Sequence, residues 1–507
     1  MTDIIGHRFP SWLVPEPLLE FGNCGMNVDP KTGLELHGPF ATVRSIRLGI
    51  IGSGETIGHT LEWIERSRSR IKGVPEQPYL FPDFPGINSA LPFSCEVDVK
   101  RNWQDTIAQS AVDRLLHIQD RQERVTEAAK LLSSHMRNLG EIEPRPDVVI
   151  VALPQEVVDY CATSGLTGGQ GVRIRLTNPE RKFIGRYKRA AAAGQGQFFS
   201  IEELLGLTTD PRLQAHYNLR RAFKADVMSL NIPTQIMRPN SLVGGEDTQD
   251  DATRAWNFWV GVYHKAGGIP WRLARAESGS CYVGITFYQE RKTLLGGMRT
   301  SLAQIFTHRG EGLVLKGERF QWDEKKGRTP HLPRPAAEKL LTDVIEAYQQ
   351  KEGQLPRRVV VHKSSRYWND ELDGFKTALG KIPEWDLVTI ERRGIRLIRA
   401  GDYPPLRGTV ARIGNRNYLI YTRGFVPFLQ TYPGAHVPSP LEVVEHHGDS
   451  TPQTICEEII GLTKMNWNSA DFSSGFPITM AFSRRVGEIL AEADPDQSPS
   501  PLFRFYI

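Results

Sequence analysis

Lys265-Ala266-Gly267-Gly268-Ile269-Pro270-Trp271-Arg272-Leu273, followed by Cys281-Tyr282-Val283-Gly284-Ile285-Thr286-Phe287-Tyr288, decides how this chain folds. The first run ends a helix that passes through Trp256, because a glycine pair and a proline cannot extend it. The second is rich in β-branched and aromatic residues and reads as a strand. Further strands are expected at Met298 to Thr307 and Gly312 to Lys316. A helix over Pro335 to Lys351, a strand Arg358 to His362, a helix near Asp370 to Leu379 and more strands to Tyr421 come next. Two last helices, Pro452 to Leu462 and Ile478 to Ala491, precede a tail, Pro501 to Ile507, apolar enough to predict burial. Upstream, Ser45 to Gly52 and Asp147 to Pro154 read as buried strands that each lead into a helical pattern. Strands alternating with helices predict a parallel sheet there, so the chain reads as two α/β units, divided near residue 248.

At 507 residues, with 24% charged and 40% hydrophobic residues, the chain can bury substantial cores in two to four domains. Its formal charge of +4 says little, since local clusters of Lys and Arg decide nucleic-acid binding. Cys24, Cys95, Cys161, Cys281 and Cys456 are scattered with no C-x-x-C pair, against a zinc site or a disulfide scaffold. The first residues lack the apolar run of a signal peptide, and no stretch approaches the length needed to span a bilayer. A cytoplasmic protein with no membrane contact is expected.

Three features carry candidate chemistry. Gly52-Ser53-Gly54-Glu55-Thr56-Ile57-Gly58 follows a strand and opens a helix, as a dinucleotide-binding turn does. Its spacing is GxGxxxG, however, and the acidic partner would have to be Glu76, in a proline-rich stretch. The alternative is a strand-to-helix turn that holds no nucleotide. From Thr163 to Gln197 runs a glycine-rich and then strongly basic segment, either a solvated insertion or a loop that touches nucleic acid. Arg220 and Lys224, four apart, share one face of a helix expected over Arg212 to Leu230. Gln235 in the next strand and Lys265 at the end of a later helix could converge with them on a terminal phosphate, whose oxygens need several donors.

Taken in order, these motifs resemble the MID and PIWI domains of Argonaute proteins. The Lys265 to Leu273 run and the strand after it are similar to the entry to PIWI. Leu462-Thr463-Lys464-Met465-Asn466-Trp467-Asn468 and Pro477-Ile478-Thr479-Met480 look like the run whose helices line the guide channel. His37-Gly38-Pro39-Phe40 looks like the segment where an N-terminal piece joins the PIWI sheet. The resemblance implies an α/β fold with a Rossmann-like MID domain followed by an RNase H-like PIWI domain. It divides the chain into an N-terminal segment (1–44), MID (45–248) and PIWI (249–507), the architecture of short prokaryotic Argonautes. It also gives Arg220, Lys224, Gln235 and Lys265 the role of holding the 5′-phosphate of a guide. The last residue, Ile507, would bring its carboxylate to the same pocket, which implies a bridging Mg²⁺.

The departures from the family shape the expected function. Cleavage by an RNase H-like site needs carboxylates that hold two metal ions. Thr286 stands at the first of those positions and Ser364 at the second, and Asp370, Glu371 and Asp471 would need rearrangement to replace them. No intrinsic catalysis is expected. The resemblance instead implies a guide RNA, a complementary single-stranded DNA target and a heterodimeric partner with an APAZ segment. That partner, a TIR or sirtuin-like NADase or a nuclease, would act in defence against plasmids and phage, with higher oligomers on activation. The rival readings are an active guide-dependent nuclease and a nicotinamide-dependent enzyme built on the Gly52 to Gly58 turn. Trp256, Trp259 and Trp467 could stack on bases, but at helical spacing such residues more often fill a core.

Overall fold

The computed structural model describes residues 9–88, 90–162, 218–245, 248–275, 278–289, 298–306, 312–320, 329–392, 394–414, 417–434, 436–493 and 500–507. The basic segment at 163–197, and residues 212–217 of the helix expected from Arg212, lie outside them.

The first sheet grows from the strand Ser45–Gly52. Residues Val148–Ala152 pair with it in parallel, Leu48 opposite Val148 and Ile50 opposite Ile150, and Thr234–Met237 add on in parallel beyond. Glu96–Asp98 and Gln104–Thr106 pair with the other side of the first strand. Every residue from Val148 to Ala152 is fully buried, because helices cover both faces. Helices Arg121–Gly140 and Leu219–Val227 close one face over Val149, Val151 and Phe223.

The glycine-rich turn has a packing explanation. Ser53 caps the helix Gly54–Arg66 by accepting from the Thr56 amide at 3.2 Å, and Thr56 Oγ1 donates to the Ala152 carbonyl at 2.9 Å. A Cβ at Gly52 would sit 2.7 Å from that same carbonyl, so only glycine fits. Gly54 and Gly58 face open space, whereas a dinucleotide turn needs its third glycine for close helix–strand contact. Glu76 is exposed in a turn and not at a strand end.

The second sheet is nine-stranded and mixed. Its order is Ser11–Leu13, Thr409–Arg412, Tyr418–Ile420, Leu441–Gly448, Glu384–Arg392, Arg358–Lys363, Ser280–Gln289, Met298–Phe306, Gly312–Phe320. The three consecutive strands from Glu384–Arg392 to Ser280–Gln289 are parallel and all other neighbours antiparallel. Alternation along the central strands sorts side chains between two cores, as the two-residue repeat of a strand requires. Cys281, Val283, Ile285, Val359 and Val361 meet helices Arg334–Glu352 and Asn369–Ala378. Tyr282 and Val360 face the opposite core, with helices Pro452–Leu462 and Ile478–Leu490 and the aromatic side of Asp251–Lys265.

The outer part of this sheet is closed by the start of the chain. Ser11 pairs opposite Ala411, and Glu16 is clamped between Arg407 and Lys464, each at 3.0 Å. His37 to Phe40 does not join the nine-stranded sheet: Phe40 donates to the Pro270 carbonyl at 3.0 Å and Ala41 to Ile269 at 2.9 Å. Trp256, Trp259 and Trp467 are buried, so all three are core residues and none is a free stacking platform.

Helix Ile478–Leu490 crosses the sheet at Gly284, where a Cβ would lie 1.9 Å from the Thr479 carbonyl oxygen. The contact is with backbone, which cannot swing aside. Gly284→Ala should therefore destabilise the protein by about 1–3 kcal/mol or more, read as a lowered denaturation midpoint with an unchanged slope.

Candidate nucleic-acid interface

Four separate elements bring the phosphate-binding candidates into one buried pocket. Helix Leu219–Val227 begins at Asn218, whose side chain accepts from the Arg221 amide at 3.2 Å, and the helical repeat stacks Arg220 one turn before Lys224. Lys224 Nζ donates to the Thr234 carbonyl at 3.1 Å and to the main-chain oxygen of Ile507. Arg220 donates to the Tyr506 carbonyl at 3.1 Å. Lys265 closes helix Asp251–Lys265; its ammonium donates to Gln235 Oε1 and to Asn468 Oδ1, the latter at 3.5 Å. Arg220, Lys224, Gln235, Lys265 and Ile507 are thus together, as the sequence suggested.

The glycine pair after Lys265 shapes the exit of its helix. Gly267 has φ +102°, and a Cβ at Gly268 would strike the Tyr263 ring at 2.2 Å. Tyr263 in turn holds Ala41 and Val43 through its hydroxyl. The tail arrives from the other side. Val314 donates to the Pro501 carbonyl at 2.8 Å, the Phe503 ring stacks on Phe482 at 4.2 Å, and Phe503, Phe505, Tyr506 and Ile507 are all buried. Apolar packing delivers the last main-chain oxygen to Lys224.

Electrostatically the pocket is lopsided. Burial pushes the Lys224 ammonium well down in pKa, and the charges of Lys265 and Arg220 push it further. Burial, with help from Arg220, brings Lys265 to about 7, and burial beside Arg485 brings Arg220 to about 10. Among the described residues, no carboxylate side chain forms an ion pair with Lys224 or Lys265; Lys265 bonds amide oxygens, and Lys224 bonds the Thr234 carbonyl and the main-chain oxygen of Ile507. Such a site fits an anion, since charge-assisted bonds to a phosphate would satisfy all three cations at once. A divalent cation fits only with that anion, because the pocket offers it little beyond main-chain and amide oxygens.

The nine-stranded sheet brings Thr286 and Ser364 to neighbouring strands. Gly284 pairs with His362 and Ile285 with Lys363, so Thr286 and Ser364 are the next residues in the same parallel register. Thr286 is half-buried and Ser364 exposed. Glu371 is committed elsewhere: it is buried, ion-paired with Lys363, 3.5 Å from His331 and bonded by the Leu332 amide at 3.1 Å. Burial alone would raise its pKa, but the bonds from His331 and Lys363 outweigh burial and hold it below the ordinary value. Asp370 is exposed, and Asp471 accepts from Ser469 at 2.9 Å. Among the described residues, no group of three or more His, Cys, Asp or Glu side chains could hold a metal ion.

Sequence reasoning missed several members of the interface. The run Leu462 to Asn468 contributes Asn468 to the pocket, while its Lys464 is buried against Glu16 and the Phe472 ring. The carbonyls of Thr234 and Tyr506 carry no side-chain signal at all. Arg485, beside Arg220, lies in a helix whose start was singled out but whose arginines were not.

No protein-family model matches the chain. It is 23% identical over 233 residues to Protein argonaute of Aquifex aeolicus, a match covering 45% of this chain and 30% of that protein. In three dimensions it is similar to Clostridium butyricum Argonaute bound to a guide DNA and a 19-mer target DNA. The TM-score is 0.60 at 15% identity, over 99% of this chain and 55% of that one. Aquifex aeolicus Argonaute gives a TM-score of 0.57 at 14% identity, over 98% of this chain and 56% of the other. The fold is therefore that of Argonautes, and this chain is Argonaute-like. It spans little more than half the length of those solved structures. No helix among the described residues is long and apolar enough to cross a membrane.

Two outcomes follow from the charges. Glu371→Ala should cost about 3–5 kcal/mol of stability by leaving Lys363 buried and unpaired, measurable by chemical denaturation. For Lys265 the folded pKa lies below the unfolded value. The unfolded chain therefore binds more protons between about pH 7 and 10.5, and the destabilisation from burying this charge, complete below about pH 7, fades as pH rises through that window. The melting temperature of the ligand-free protein, relative to Lys265→Met, should rise from pH 7 to pH 10.

Proposed function

We propose that this chain holds a 5′-phosphorylated guide RNA in the pocket of Arg220, Lys224, Gln235 and Lys265 and pairs it with a complementary single-stranded DNA target. The observation that carries the reading is the convergence of three sheltered cations with no acidic side chain among their hydrogen-bond partners. Ile507 would help to hold a Mg²⁺ whose other ligands are phosphate oxygens, and the ion would offset the repulsion between the two anions. Base pairing would supply sequence specificity while the protein grips backbone and shape.

The same proposal assigns no cleavage to the chain. It is supported by Thr286 and Ser364, neutral side chains at adjacent places where an RNase H-like site needs carboxylates, and by the commitment of Glu371 to Lys363. Target binding would then be read out by an APAZ-containing effector in a heterodimer, an NADase or a nuclease in prokaryotic defence. Only a duplex that favours the active complex over the resting one can switch that partner on.

Lys224→Ala should weaken binding of a 5′-phosphorylated guide roughly tenfold to a hundredfold, the range for loss of one charge-assisted contact, and leave a 5′-hydroxyl guide nearly unchanged. Affinities of both guides at fixed salt, with and without Mg²⁺, test the pocket; equal losses for the two would remove it. In a cleavage assay the guide-loaded chain should bind matched DNA and leave it intact. Cutting at one guide-defined position, abolished by a chelator, would overturn the non-cleaving assignment.

A further inference from the structure

Among the described tryptophans, Trp368 is the only exposed one, at 39%. Rings of that size are on average highly buried. Its indole lies nearly flat on the His331 ring, with centroids 4.2 Å apart and planes 19° from parallel. His331 is itself buried and held 3.5 Å from the Glu371 carboxylate, which also accepts from the Leu332 amide and pairs with buried Lys363. The preceding residue is fixed as well: the Tyr367 amide donates to Glu445 at 2.9 Å and its hydroxyl to the Val361 carbonyl at 3.3 Å. The ion pair beside the substituted strand end thus braces an aromatic stack that reaches the surface.

Tyr367, Trp368, Asn369 and Asp370 line an open hollow of about 420 Å³. Their chemistry chooses its occupant. Trp368 offers a flat apolar wall, stiffened from behind, which suits a planar ring. Asn369 offers both a donor and acceptors to the polar edge of such a ring. Asp370 is exposed and repels a phosphate, so the hollow suits an uncharged group. Arg366, exposed two residues before Trp368, supplies a cation for a charged backbone outside it. A planar, uncharged ring with a polar edge and a charged backbone is a nucleobase in a strand.

We infer that Trp368 is a stacking platform for one nucleobase of a bound strand, at a place where that base has left its neighbours. The inference rests on the proposed binding of guide and target. Every base has a π-face, so the contact adds affinity without reading sequence. The strand end that lacks carboxylates at Thr286 and Ser364 thereby holds a strand by an aromatic surface four residues further on.

The test pairs the guide-loaded protein with matched DNA strands that each carry one abasic site, stepped along the target, and repeats the series with abasic guides. In the wild type, removing the base at one position should weaken binding roughly tenfold. In Trp368→Leu the intact strands should bind roughly tenfold more weakly, and the abasic site at that position should then cost nothing further. Trp368→Phe, which keeps a ring on His331, should retain part of the coupling. If Trp368→Leu weakens intact and abasic strands alike at every position, the ring has a structural role only and the inference is overturned. A nucleoside 5′-monophosphate tests the other source of the same ring: binding that depends on Trp368, with no strand position coupled to it, would assign the hollow to a free nucleotide and overturn the strand assignment. If the wild type binds no matched target at all, the proposed function falls and the inference with it.

Discussion

Three positive charges gathered in one sheltered pocket, with no acidic side chain among their hydrogen-bond partners, form the constraint around which this molecule is arranged. At about 4 Å and an effective dielectric constant near 20, two like charges repel by about 4 kcal/mol. The fold withstands this because Arg220 and Lys224 stand on one helix of the first sheet's cover and Lys265 on the long helix that leads into the second sheet, with carbonyls of an edge strand and a packed tail as acceptors. Close packing of Tyr263 against Gly268, and of the Phe503 ring on Phe482, holds those elements in place. Stability elsewhere in the fold keeps the pocket in a state that favours an incoming anion.

The second sheet treats charge the opposite way. Arg358 is bound by Asp386 at 2.7 Å and by Glu458, and Lys363 by Glu371, so its buried cations are matched. The Lys363–Glu371 pair sits one residue from Ser364, beside the strand end where carboxylates would assemble a metal site. A buried ion pair there is a structural fixture that commits Glu371 to Lys363. Charge is thus matched at the centre of the second sheet and unmatched by side chains in the pocket.

Much of this was legible in sequence because periodicity and breakers act locally. The strands Ser45–Gly52 and Ser280–Gln289, the helix Pro452–Leu462 and the end of the helix at Lys265 follow from apolar runs bounded by glycine and proline. The strand Leu441–Gly448 was not seen. Its Glu442, Glu445, His446 and His447 look like a loop until Tyr367 and Thr389 are brought alongside to bond Glu445, Asp386 to bond His446 and Asn417 to bond Glu442. That an N-terminal piece joins the second sheet was expected, but the strand Ser11–Leu13 and its partner Thr409–Arg412 were not, since a three-residue strand has no period to detect. In the pocket, side chains at helical or family-like spacing could be named. Main-chain acceptors such as Thr234 could not, because any residue type offers the same carbonyl.

The seam at Gly284 has a mechanical meaning beyond its effect on stability. Where a helix rests directly on strand backbone, no side chain lies between them to change rotamer and absorb a displacement. Helix Ile478–Leu490 therefore moves with the central strand as one stiff piece. It touches the sheet at Thr479 and meets helix Leu219–Val227 through Glu488 and Arg221, more than two helical turns away. A displacement of that helix would consequently load the middle of the nine-stranded sheet through a rod rather than a spring, and would arrive there undamped.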